Sequence, residues 1–128
     1  EYINLNLGPI LAATVLGLLV SFGHFLLSKP HERPRVDFVI LAAIAQFWLA
    51  AVFAGALILG PRTATPWLTT MITAVIVWVG FVVPTLMVTL RFRGHSGPMA
   101  AADSLHWLLV LLVQAAVMRS MGLEAPLM

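Results

Sequence analysis

Four long apolar runs, at 7–27, 37–59, 67–90 and 100–121, dominate the chain, and only short polar gaps separate them. An α-helix needs about 20 apolar residues to cross roughly 30 Å of hydrocarbon, and every run meets that length. The gaps carry helix-stopping chemistry. "SKPHERPR" holds two prolines and three basic residues, "GPRTATP" holds Gly60, Pro61 and Pro66, and "RFRGHSGP" holds two glycines and Pro98. Gaps this short make consecutive helices antiparallel neighbours. The pattern therefore predicts an all-α protein: a single domain built as an integral membrane bundle of four antiparallel transmembrane helices. The halves share a helix–basic loop–helix plan, but no residue pattern repeats between them.

Composition agrees with the pattern. Of the 128 residues, 61% are hydrophobic and 9% charged, against about 25% charged in a soluble domain. The net charge of +2 comes from basic residues scattered through the gaps, which is no footprint for nucleic acid. With no cysteine, disulfides, thiolate metal sites and iron–sulfur clusters are excluded. The first run follows "EYINLN", which lacks the basic residues of a signal peptide, so it is read as a span.

Four spans put both termini on one side. The first and third connections carry Lys29, Arg33, Arg35, Arg91 and Arg93, whereas the opposite side carries Arg62 and Arg119. The positive-inside rule then places those connections in the cytoplasm and both termini outside, in what we expect to be a bacterial inner membrane.

Ionisable groups inside lipid are functional hypotheses by default. His24 falls near the cytoplasmic end of the first span, and Asp103 and His106 near the cytoplasmic start of the fourth. Asp103 and His106 share a helix face, which Val110, Gln114 and Val117 continue. That face should meet other helices. Asp103 is expected to form an interfacial ion pair with Arg91 or Arg93. His106 is expected either to hydrogen-bond a neighbouring helix or, oriented by Asp103, to bind a ligand such as haem or quinone. Gln46 is a deep amide, and Pro84 should kink the third span and shape a cavity. The candidate ligand site is thus His24, Gln46, Pro84, Asp103 and His106, with no metal site and no resident cofactor expected. No serine or cysteine nucleophile stands where a hydrolase needs one, since Ser104 lies about 100° around the helix from Asp103.

The run "VIVWVGFVVPTLMVTLRFRGHSGPMAAADSLHWLLVLLVQAAVM" resembles the second half of a bacterial family of small four-helix membrane proteins, domain-of-unknown-function family 1761. Trp78, Gly80, Phe81, Pro84 and Thr85 match its Trp-x-Gly-Phe and Pro-Thr positions, and Asp103, His106 and Trp107 its polar-plus-aromatic patch. The Trp-Tyr-Ser-Pro stretch found in the family at the end of the first span is not reproduced by "VSFGHFLLSKP". The resemblance implies a fold plan and no activity. The function expected from these features is a non-catalytic accessory or structural subunit in the lipid bilayer, packing against a larger membrane complex or as a homo-oligomer. The alternative is a ligand-binding or transport bundle using the His/Asp site.

Overall fold

In the computed structural model, which describes residues 1–126, each apolar run is helical. A single turn, α1 (Tyr2–Leu5), leads into α2 (Leu7–Ser28), followed by α3 (Val36–Leu59). The third span is assembled from α4 (Pro66–Val77), a π-helical turn (Trp78–Val82) and α5 (Val83–Phe92), and α6 (Gly97–Met121) completes the bundle. The last helix begins earlier than its apolar pattern because a cap sets its start. Ser96 Oγ accepts the Met99 N–H at 3.2 Å, and Pro98 occupies the first turn, where its missing N–H is harmless.

Pairs of touching residues fix the direction of α2 against α6. His24 meets Asp103, Ser21 meets His106, Gly17 lies beside Gln114, and Gly8 lies near Met121. As the number on α2 falls, its partner's number rises, so the two helices run antiparallel along their full length. Ser21 of α2 with Gln46, and Tyr2 of the preceding α1 with Gly55, show the same sense against α3. α6 is the hub, lying between α2 and the third span, while α3 packs mainly on α2. The core at this junction joins Ile10, Ala13, Phe53, Ala54, Leu111 and Ala115. Its small residues let backbones approach closely enough for dispersion contacts, the main attraction available between helices in lipid.

The outward faces are apolar. Ile44, Trp48, Ile76, Phe81 and Val88 are all exposed. Faces this wide and this greasy belong against a bilayer rather than water. Trp48 therefore points to lipid, whereas Trp78 turns inward and its indole N–H donates to the Ser104 carbonyl at 2.6 Å.

The break expected at Pro84 takes the form of the π-helical turn just before it. The Val83 N–H reaches back five residues to the Trp78 carbonyl. Pro84 has no N–H to return to Gly80, so the ladder must open there. On the next turn Thr85 Oγ1 donates to the Phe81 carbonyl at 2.6 Å.

At the opposite end of the bundle from His24, buried Asn6 clasps the two chain ends. Its Nδ2 donates to the Tyr2 and Glu124 carbonyls at 2.8 and 2.7 Å, and its Oδ1 accepts the Glu124 N–H at 2.6 Å. Tyr2 Oη adds a bond to the Ala51 carbonyl at 3.0 Å, lying over Gly55.

Gly17 is a point of close approach at the three-helix junction. A Cβ there would collide with Gln46 Oε1 and lie 3.0 Å from Gln114 Nε2 and 3.3 Å from Val110 Cγ1. Gly17→Ala should destabilise the bundle by about 1–3 kcal/mol through overpacking. Gly23→Ala, whose Cβ meets nothing within 4 Å, should be close to neutral. Denaturant unfolding of both variants in one detergent checks the contrast.

Candidate functional site

A cavity of about 640 Å³ opens where the connections after α2 and α5 come together. Phe25, Phe38, Leu86, Leu90 and Trp107 give it apolar walls, and Lys29, Arg33 and Arg35 stand along its solvent side. His24, Asp103 and His106 line its inner part. α2 delivers His24 one turn before its end, and α6 delivers Asp103 and His106 from one face, as their three-residue spacing requires.

The three groups form a defined constellation. His24 Nε2 and Asp103 Oδ1 are 2.9 Å apart, joining the two helices of the principal interface. An ionised carboxylate can only accept, so Nε2 carries the proton and donates. In the neutral imidazole this leaves Nδ1 as an acceptor for a hydroxyl; in the imidazolium, Nδ1 becomes a donor for a carbonyl. Asp103 is therefore a positioning group that sets the tautomer of His24. The His24 ring stacks on His106 with centroids 4.4 Å apart and planes 5° from parallel, and Phe25 tilts against both.

Behind this pair a polar track continues into the bundle. Buried His106 bonds through Nε2 to Ser21 Oγ at 2.8 Å, and the same hydroxyl accepts from Gln46 Nε2. One serine thus links α2, α3 and α6. Beyond it, Gln46 Oε1 and both amide atoms of Gln114 are buried without a hydrogen-bond partner among the described residues.

Two expectations about this region are corrected. Asp103 does not pair with Arg91 or Arg93; its partner is His24, which lies directly across the α2–α6 interface. Arg91 turns the other way, its Nη1 donating to the His95 carbonyl at 2.9 Å, and Arg93 is exposed at the end of α5. Nor do all five candidate ligand residues meet. His24, Asp103 and His106 line the cavity, whereas Gln46 lies deeper, behind Ser21, and Pro84 is exposed outside it. Leu86 and Leu90, one turn apart, represent that helix in the cavity, and Pro84 is about 200° around from Leu86. The expected helix–helix hydrogen bond of His106 is present, with Ser21 as the partner. Nothing in the sequence context of Ser21 marks it as a bridge.

The stacked rings do not fit a bis-imidazole haem. Such an iron needs two nitrogens pointing at it from opposite sides, but these rings meet face to face and each Nε2 is already engaged.

The partner of Asp103 can be tested by double-mutant cycles. His24→Ala with Asp103→Ala should show a coupling of about 0.5–1.5 kcal/mol, near the range for interhelical hydrogen bonds in membranes, whereas Arg91→Ala with Asp103→Ala should be additive. Unfolding free energies of the single and double variants supply the readout. Comparison against protein-family models, curated proteins and solved structures finds no match to this chain.

Proposed function

We propose that this integral membrane protein binds, without converting it, an amphipathic molecule of quinone type in the His24 cavity. The observation that carries this reading is the His24–Asp103 pair, bonded at 2.9 Å, set among apolar and aromatic walls in a cavity of about 640 Å³. Pockets for small ligands commonly combine such walls with a few convergent polar groups. A hydroxyl or carbonyl on the ligand would meet Nδ1 of His24, and the ring would lie against Trp107 and Phe25.

A binding role rather than catalysis is favoured by Ser104. Its hydroxyl donates to the Ala100 carbonyl at 3.0 Å and is buried away from the cavity. The excess of basic residues around 29–35 and 91–95 favours a cytoplasmic-side cavity in a bacterial inner membrane. Kinship with domain-of-unknown-function family 1761 belongs to the same proposal. Five of the residues that carry the resemblance, Trp78, Gly80, Phe81, Pro84 and Thr85, lie in the π-helical turn and the start of the helix that bears Leu86 and Leu90.

A second reading, packing against a partner subunit or a second copy, is supported by the third span. It buries Thr70 and Ala74 in α4 and no residue in the π-helical turn or α5. That leaves one long side of the bundle available to another helix.

Titration of the detergent-purified protein with a short-chain benzoquinone should quench indole fluorescence saturably. Trp107→Phe should remove most of the quenching, and His24→Ala should weaken binding about tenfold, the value of one good hydrogen bond. Quenching that does not saturate, or that neither substitution alters, would overturn the binding reading. A companion chain retained on blue-native electrophoresis would favour the second reading instead.

A further inference from the structure

At the opposite end of the bundle from His24 lies a second cavity of about 410 Å³, between the end of α3, the start of α4 and the last turns of α6. Arg62 and Arg119 both line it, and neither forms a salt bridge among the described residues. Among the described residues, no acidic side chain lines it. Glu124, close in sequence, has its backbone held by Asn6 and does not contribute. The neighbouring hydroxyls of Thr69, Thr70 and Thr73 donate to carbonyls of their own helix. The charged donors of this cavity are therefore its two guanidiniums.

Two arginines in one concave site, with no acidic side chain beside them among the described residues, define a positive pocket that suits an anion. The planar fork of a guanidinium matches the oxygens of a phosphate two at a time. The first turn of α4 opens on the same cavity through Pro66 and Thr69, and Thr65 provides no side-chain cap to it. That end of the helix adds partial positive charge. Leu57, Ile58 and Met118 continue the lining toward the hydrocarbon, as a glycerophospholipid would need below its phosphate.

We infer that Arg62 and Arg119 form a binding site for a phosphate group, on the membrane face opposite the His24 cavity. The phosphate chemistry is shared by an anionic lipid headgroup and by free phosphate, and the inference does not rest on the proposed quinone site.

The test compares the wild type with Arg62→Gln/Arg119→Gln and with Arg91→Gln/Arg93→Gln, which removes the same charge from the other face. Each protein is delipidated in neutral detergent and offered phosphatidylglycerol, phosphatidylcholine or inorganic phosphate. Native mass spectrometry reads the lipids, and radiolabelled equilibrium dialysis reads phosphate. The wild type should retain phosphatidylglycerol over phosphatidylcholine, and the Arg62/Arg119 variant should lose at least about tenfold in that retention, whereas the Arg91/Arg93 variant keeps it. If inorganic phosphate binds with the same dependence and phosphatidylglycerol shows no preference, the free anion is the ligand and the site stands. Equal losses in the two double variants, or binding of neither probe by the wild type, overturn the inference. Arg62→Lys/Arg119→Lys guards against misfolding: it retains the charge, and a loss confined to the glutamine pair then belongs to the site. A Lys pair that loses binding together with its thermal transition would reduce the arginines to a structural role and overturn the inference as well.

Discussion

The constraint on which this structure turns is the cost of leaving a polar group in hydrocarbon without a partner inside the protein. Among the described residues, all the buried polar side chains of the α2–α6 seam except Gln114 avoid that cost. The chain concentrates such groups along one interface, between α2 and α6. Asn6 holds Glu124 at one end, His24 holds Asp103 at the other, and Ser21 with His106 lies between. Each pairing is modest by itself, about 0.6 kcal/mol on average in membrane proteins. Together they define the register. Sliding α6 by one turn along α2 would part all three at once and bring their polar atoms against aliphatic neighbours. Apolar contact supplies adhesion between these helices, and the polar seam supplies uniqueness.

The seam also explains why the two cavities are separate. Between them lies the apolar middle of the bundle, with Ile10, Ala13, Phe53, Leu111 and Ala115 fully or almost fully buried. The polar track that enters from His24 ends at Gln46 and Gln114, beside Gly17, one turn short of Ala13 and two short of Ile10. The protein therefore presents two distinct chemical faces, one combining imidazoles and aromatic rings, the other guanidiniums, with a mainly apolar layer between them.

Much of this was legible in the sequence. The four spans follow from run length alone, and their ends shift by no more than three residues because Ser96, Pro66 and Pro98 govern the starts. The stripe of Asp103, His106, Val110, Gln114 and Val117 was correctly read as facing other helices, since five residues at helical spacing locate a face without knowledge of what lies across from it. What lies across was less accessible. The nearness of Arg91 and Arg93 in the chain made them natural partners for Asp103, but the true partner comes from 79 residues away. Spans that are apolar on almost every side do not announce which side is inward, so the pattern is silent about register. Asn6 and Ser21 illustrate the loss. Each is a small polar residue that gains its role only through a distant neighbour.

The π-helical turn has a geometric effect that reaches beyond Pro84. A π turn accommodates an extra residue, and each added residue rotates everything that follows by about 100° around the helix axis. Upstream of it, Thr70 and Ala74 turn inward to the bundle. Downstream, the rotation brings Leu86 and Leu90 around to the ring-lined cavity. One widened loop of backbone thus lets a single span serve as packing surface in one leaflet and as chamber wall in the other.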